Sequence, residues 1–175
     1  EEFHNIITED HFIDQFDLEE VPFPQIIRNL QLKHPQFEKQ FGIMGERYLD
    51  FVIGEEPGMK EMLRKLKGEG FKLYGMSNWC SMIYGTIETY KDLFELLDGR
   101  IISCEEHLIK PSKEAYLNML AKLHINASES VFADDKEKNI KRAKACIRSG
   151  HTRTAEYPDV LCVVDGYSAR CIREL

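Results

Sequence analysis

Two adjacent aspartates, Asp134 and Asp135, are the side chains best suited to metal chemistry in this sequence. Asp134 and Asp135 directly follow the apolar run 131–133, which predicts a short strand ending in two adjacent carboxylates. Open α/β sheets place their chemistry outside the carboxyl ends of their strands, so this is a candidate site. Neighbouring carboxylates repel one another, and a bound cation relieves that repulsion; oxygen ligands of this kind suit Mg²⁺. The alternative is that one aspartate only caps the following helix.

A serine and a lysine occupy comparable positions elsewhere. Ser77 follows the strand-like run 71–76, where its hydroxyl can hydrogen-bond a phosphoryl oxygen with help from backbone N–H groups. Lys110 directly precedes Pro111, and proline disfavours helical backbone at the residue before it, so Lys110 is predicted on a loop. Its ammonium can there act as a point charge toward carboxylate or phosphate. The alternatives are an ordinary turn for Ser77 and a solvated surface side chain for Lys110.

The elements that must position these residues alternate between helix and strand. The pattern predicts helices at 59–66, 84–97 and 112–123, a further helix ending at residue 149, and strands at 71–76, 101–103 and 131–133. An edge strand at 151–154 and a helix at 160–175 complete the prediction. This order is typical of an α/β fold with a doubly wound parallel sheet.

Residues 1 to about 55 have a different pattern. Apolar residues recur at helical spacing, and period-two alternation is missing, so this region is predicted to be helical. The Pro22–Pro24 region interrupts the pattern, and His34-Pro35 begins another helix. We interpret the region as a small helical insert or lid.

Composition restricts the function. The 175 residues carry a net charge of -7, and this acidic balance disfavours nucleic acid as a main partner. No apolar run is long enough to cross a bilayer and no signal-peptide pattern is present, so a cytoplasmic protein without membrane association is expected. The five cysteines are scattered without zinc-ligand or redox spacing and are expected to be reduced.

Taken together, the order of these sites resembles the haloacid-dehalogenase superfamily of hydrolases. The matching stretches are 73–79, 105–111 and 131–135, with Asn139 four residues beyond. The chain looks most like the bacterial branch with a small helical cap, which includes phosphatases of sugar phosphates and 2-haloacid dehalogenases. The similarity covers residues from about 55 to 160. It implies a helical cap at 1–55 and an α/β core at 56–175.

That resemblance implies roles for the site residues. Ser77 is expected to bind the transferring phosphoryl group, and Lys110 to steady the nucleophile and the phosphoryl charge. Asp135 is the expected Mg²⁺ ligand from its loop, assisted by Asp134, with Asn139 supporting the pair.

The resemblance also suggests how substrate is held. Asn78 and Trp79 are expected to line the entrance, and the helical region is expected to close over a small-molecule phosphate substrate and exclude water. The residues carry no readable code for the substrate or for the oligomeric state.

The chain departs from the family at the nucleophile, which is an aspartate at the end of a central strand that precedes the cap. No run of four apolar residues ending in aspartate precedes residue 55. We expect that strand and its aspartate upstream of residue 1, so that residues 56–175 form a core without its first strand. A permuted chain that uses Asp165, after the apolar run 161–164, is the alternative, although Tyr167 stands where the family has a second aspartate.

Several functions follow from these features. The first is a Mg²⁺-dependent phosphatase that forms an aspartyl-phosphate. The second is an inactive relative that binds a phosphate ligand or a protein through the same pocket. A response-regulator receiver domain is disfavoured, because its acidic pair comes first in the chain and its lysine last. Dehalogenation is disfavoured because displacement at a carbon–halogen bond needs no metal, whereas the paired aspartates favour one.

Overall fold

The computed structural model describes residues 1–9 and 11–149 of the chain. The predicted edge strand at 151–154, the predicted helix at 160–175 and Asp165 lie outside the described residues.

The N-terminal region is helical, which confirms the secondary structure predicted for it. Its helices are α1 (Glu2–Ile7), α2 (Asp14–Leu18), α3 (Phe23–Lys33) and α4 (Glu38–Glu46), with 3₁₀ turns at Pro35–Phe37 and Tyr48–Phe51. Helix α3 buries a stripe of apolar residues at helical spacing, namely Phe23, Ile26, Ile27 and Leu30. This stripe fixes the face that α3 turns toward the rest of the region.

An aromatic cluster joins the helical region to the rest of the chain. Phe16 and Phe41 are fully buried at its centre. Cys80 belongs to the same cluster, and Trp79 packs against it. The helical region therefore shares one hydrophobic cluster with the residues that follow the predicted strand 71–76.

Residues 59–149 alternate between helix and strand, broadly as predicted. The elements are α5 (Met59–Gly68), β1 (Tyr74–Ser77), α6 (Ile83–Thr89), α7 (Lys91–Phe94), β2 (Gly99–Ile102), α8 (Ser103–Glu106), α9 (Lys113–Lys122) and α10 (Glu137–Ser149), with a 3₁₀ turn at Ala127–Glu129. The helix predicted at 84–97 is two short helices, α6 and α7.

The sheet consists of β1 and β2 in parallel, with Tyr74 opposite Gly99 and Ser77 opposite Ile102. Asp98 lengthens this pairing at its start. Its backbone N–H donates to the Leu73 carbonyl at 2.6 Å, and its carboxylate accepts from the Leu73 N–H at 2.7 Å. The two strands agree with a parallel α/β arrangement, and the carboxyl ends of both lie at the same edge.

The predicted strand at 131–133 is not assigned as a strand among the described residues. The segment nevertheless packs into the hydrophobic clusters around β1. Phe132 packs against the cluster that contains Met76, and Ala133 belongs to the cluster that contains Leu73. A strand assignment needs ladder hydrogen bonds to a neighbour, and apolar packing alone does not supply them.

Within the described part of the chain, no helix combines the length and the apolar character required to cross a membrane. Cys80, Cys104 and Cys146 are free thiols.

Candidate phosphate site

Lys110 lies at the centre of the candidate site and is only 3% exposed. Its Nζ donates to the Met76 carbonyl at 2.8 Å and to Asp134 Oδ2 at 2.9 Å. The interpretation of Lys110 as a solvated surface side chain is therefore wrong. The loop before Pro111 directs the ammonium inward, to the carboxyl end of β1.

Asp134 is also buried, and both of its carboxylate oxygens are engaged. Oδ2 accepts from Lys110, while Oδ1 accepts from the Lys136 N–H at 2.9 Å and from Asn139 Nδ2 at 2.8 Å. A buried carboxylate is tolerated only when its charge is paired and its lone pairs are satisfied, and these contacts meet both conditions. Asp134 thus serves as the structural partner of Lys110.

Asn139 connects this pair to helix α9. Its side chain donates to Asp134, and its backbone carbonyl accepts from the Tyr116 hydroxyl at 3.0 Å. The Asn139 Oδ1 atom is buried and has no hydrogen-bond partner among the described residues. Asn139 therefore holds Asp134 and links it to α9.

Asn78 binds the backbone of Lys110 in both directions. Its Nδ2 donates to the Lys110 carbonyl at 3.0 Å, and its Oδ1 accepts from the Lys110 N–H at 2.8 Å. Ser77 precedes it as the last residue of β1 and is half-buried. The structure thus brings the loop after β1 together with the loop that carries Lys110.

Trp79 is held by Ser103, the first residue of α8. The Trp79 N–H donates to Ser103 Oγ at 2.9 Å, and that hydroxyl lies 3.2 Å from the Trp79 carbonyl oxygen, to which it donates. Trp79 is half-buried and packs against the aromatic cluster of the helical region. It therefore lies where the helical region meets the loop after β1.

Asp135 differs from its neighbour because it is exposed, and no hydrogen bond or ion pair engages it within the described part of the chain. Mg²⁺ is commonly held by one or two carboxylates together with water and substrate phosphate. The exposed carboxylate of Asp135 has the chemistry required of one such ligand. Within the described ranges, no cluster of three or more acidic, histidine or cysteine side chains is suited to a metal. Asp135 therefore fits one ligand position of a magnesium site and not a complete site.

Glu19 and Ser81 form a contact at the loop after β1 that the sequence does not predict. The Glu19 carboxylate accepts from the Ser81 N–H at 2.6 Å and from the Ser81 hydroxyl at 2.8 Å. These residues are 62 positions apart, and no local pattern marks either of them. Their pairing depends on how the helical region docks.

Two thiols near Glu19 are held in their protonated form. Burial is the main cause that raises the pKa of Cys80 to about 11 and the pKa of Cys104 to about 12, and the Glu19 charge adds to both effects. A thiol is nucleophilic only as the thiolate, so neither cysteine is a nucleophile at neutral pH.

Comparison with known proteins identifies the relatives of this chain. The family model described as "Haloacid dehalogenase-like hydrolase" matches residues 4–148. The chain is 33% identical over 116 residues to "Sesquiterpene phosphatase astK" of Aspergillus oryzae, covering 63% of this chain and 59% of that protein. It is 30% identical over 99 residues to "Flavin mononucleotide hydrolase 1" of Arabidopsis thaliana, covering 57% and 37%. No solved structure matches.

Neither of these relatives is spanned in full. The matched part of this chain covers 59% of the phosphatase and 37% of the mononucleotide hydrolase. The family model, by contrast, matches most of this chain and includes every candidate residue from Ser77 to Asn139.

Proposed function

This chain belongs to the haloacid dehalogenase-like hydrolases, and on that basis we propose that it carries the phosphate-binding site of a Mg²⁺-dependent phosphatase. The proposed substrate is a phosphate monoester of a small organic molecule. The observation that carries the proposal is the buried Lys110 ammonium at the carboxyl end of β1, held by Asp134. Relatives named as a phosphatase and as a mononucleotide hydrolase support the same class of reaction.

The chemistry of the site assigns a task to each side chain. The Ser77 hydroxyl donates to a phosphoryl oxygen, and the Lys110 ammonium balances the charge that gathers on the phosphoryl group. Asp134 fixes the position of Lys110, and Asn139 fixes Asp134. Asp135 is the ligand for Mg²⁺, which supplies further charge stabilisation when it is bound.

The helical region is proposed as the cap of the site, with a boundary near residue 55. In this proposal Asn78 and Trp79 line the entrance between the cap and the core at 56–175. The packing of Trp79 against the aromatic cluster of the helical region supports that position. Closure of such a cap excludes water and strengthens the electrostatic interactions inside.

The attacking group is proposed to be an aspartate carboxylate on a strand that precedes residue 1. It attacks phosphorus in line with the departing ester oxygen, and water then releases phosphate from the acyl phosphate. Asp165, which lies outside the described residues, is the alternative source. Where neither aspartate is in place, Ser77, Lys110 and Asp135 bind phosphate without turning it over, and the protein is a binding module.

The test begins with the full-length protein, whose intact mass and N-terminal sequence identify any preceding strand. Phosphate release from p-nitrophenyl phosphate and from flavin mononucleotide is then measured with Mg²⁺ and after chelation. We expect release that chelation abolishes. Release that survives chelation contradicts the role of Mg²⁺.

A matched pair of variants tests the proposed site itself. Lys110→Ala is compared with Lys113→Ala, since Lys113 is an exposed lysine three residues along the chain. Activity is expected to fall only in Lys110→Ala. Absence of turnover in the unaltered protein, together with phosphate binding that depends on Lys110, identifies the binding module instead.

A further inference from the structure

The end of helix α2 contacts the candidate site through a carboxylate with three hydrogen bonds. Glu19 accepts from the Ser81 N–H at 2.6 Å, from the Ser81 hydroxyl at 2.8 Å and from the Phe23 N–H at 3.0 Å. Phe23 is the first residue of α3, where free backbone N–H groups favour a negative charge. Because the acceptor is ionised, these bonds are stronger than bonds between neutral groups.

The backbone of Glu19 supports the importance of these contacts. Glu19 has a φ of 43°, in the left-handed region that residues other than glycine seldom adopt. Such a conformation persists when surrounding contacts over-determine it. The bonds to Ser81 and Phe23 supply those contacts.

The preceding residue contacts a second loop of the site. The Leu18 carbonyl accepts from His107 Nδ1 at 2.7 Å. His107 directly follows α8 and lies three residues before Lys110. One turn of chain, Leu18–Glu19, thus holds both the loop after β1 and the loop that leads to Lys110.

The two loops are also joined directly to one another. Asn78 exchanges two hydrogen bonds with the backbone of Lys110, as described above. Glu19 holds Ser81, three residues beyond Asn78 on the same loop. A continuous path of hydrogen-bonded segments therefore runs from Glu19 through the loop 78–81 to the backbone of Lys110.

We propose that Glu19 is a positioning residue that sets the conformation of the loop 78–81 and, through Asn78, the backbone of Lys110. Its role in catalysis rests on the proposed phosphatase function, but its effect on the loops does not. The hydrogen bonds of the Glu19 carboxylate go to Ser81 and Phe23, and Asn78 binds the Lys110 backbone, so the proposed effect on Lys110 passes through the loop.

The experiment compares Glu19→Gln with Glu20→Gln in the full-length protein. Glu20 is the adjacent, exposed glutamate, so the control removes the same charge one residue away. Hydrogen exchange is followed at the backbone N–H groups of Ser81 and Lys110. We expect Glu19→Gln to accelerate exchange at both by about tenfold, the effect of losing a hydrogen bond to a charged group, while Glu20→Gln leaves both unchanged.

The Lys110 N–H is the decisive readout, since it donates to Asn78 and not to Glu19. Faster exchange at Ser81 with unchanged exchange at Lys110 overturns the proposal and leaves Glu19 as a local contact. Ser81→Ala provides a milder variant, because it removes the hydroxyl bond and retains the Ser81 N–H bond. It is expected to give a smaller acceleration at Lys110, and no acceleration also counts against the proposal.

Kinetics test the catalytic consequence separately. We expect Glu19→Gln to lower kcat/KM for p-nitrophenyl phosphate by about tenfold, with a loss in kcat and not only a rise in KM, because Lys110 is displaced. Accelerated exchange at Lys110 with unaltered kinetics shows that Glu19 positions the loop without consequence for turnover. A wild-type protein that releases no phosphate refutes the proposed function, and the exchange data still decide the role of Glu19.

Discussion

Lys110 Nζ and Asp134 Oδ2 lie 2.9 Å apart, and neither side chain has any surface exposed to solvent. A charge in the protein interior is costly unless it is paired and hydrogen-bonded, and here each charge compensates the other. The Met76 carbonyl and the Lys136 N–H add further bonds to the two groups. The pair therefore places a cation at the carboxyl end of β1 in one defined position.

Replacement of Lys110 by methionine, whose unbranched side chain is one atom shorter and lacks the ammonium, is expected to impair both activity and stability. Loss of the ammonium leaves the Asp134 carboxylate buried without its opposite charge, which lowers the free energy of unfolding by about 3–5 kcal/mol. Loss of the cation lowers kcat by about 100-fold or more. Urea unfolding and phosphate release measure the two effects. Lys113→Met is the control, and a Lys110→Met protein as stable as this control contradicts the assigned pairing.

Asp135→Asn is expected to abolish Mg²⁺-dependent activity while leaving the fold intact. The side chain is exposed, so the change removes a hard anionic ligand without disturbing a buried contact. A Mg²⁺ titration of phosphate release and a thermal melt measure the two properties. Glu137→Gln, an exposed acidic residue at the start of α10, is the control. Activity that persists in Asp135→Asn shows that the metal ligand lies elsewhere.

Asn78→Asp is expected to destabilise the protein by about 1–3 kcal/mol, because a carboxylate cannot donate to the Lys110 carbonyl and repels it. The change is nearly isosteric, so packing is preserved and the lost donor is isolated. Chemical unfolding measures the difference, with the exposed Asn29→Asp as the control. An equal effect of both substitutions counts against the reciprocal bonding of Asn78.

Stability is expected to fall in alkaline solution through two thiols, the buried Cys80 and the half-buried Cys104. Folding raises the pKa of Cys80 from 9.0 to about 11 and that of Cys104 from 9.0 to about 12. The native state therefore retains protons that the unfolded chain releases, so this contribution to stability is complete below pH 9 and is lost as the pH rises through the folded values.

Urea unfolding at pH 8 and pH 10 measures this loss in the unaltered protein and in Cys104→Ser, whose hydroxyl does not ionise in this range. The variant is expected to lose less stability between the two conditions. Iodoacetamide, which reacts with thiolates, is expected to label both cysteines slowly at pH 8 until urea is added. Rapid labelling of the native protein refutes the raised pKa values.

The positions of the candidate residues follow from local signals in the sequence. A proline fixes Lys110 on a loop, and apolar runs place Ser77 and Asp134 after their strand-like segments. The environment of these residues cannot be predicted in the same way. Lys110 is buried through contacts with Met76 and Asp134, which are 34 and 24 residues away, and nothing near Lys110 in the chain indicates either contact.

The same distinction separates the two aspartates. Their adjacency predicts an acidic site, but which side chain turns inward depends on the tertiary contacts of Lys110 and Asn139. The structure buries Asp134 and exposes Asp135. Glu19 is the residue least predictable from the sequence, because no local pattern near Glu19 or Ser81 indicates their contact.

The turn at Leu18–Glu19 also has a consequence for how the chain reaches its folded state. Its bonds to Ser81 and His107 close loops of 62 and 89 residues. Contacts between such distant residues carry the entropy of loop closure and slow folding more than local helix formation does. During synthesis, Leu18 has no His107 to bind until that part of the chain has left the ribosome. The contacts of the Leu18–Glu19 turn therefore join segments that are synthesised far apart in time.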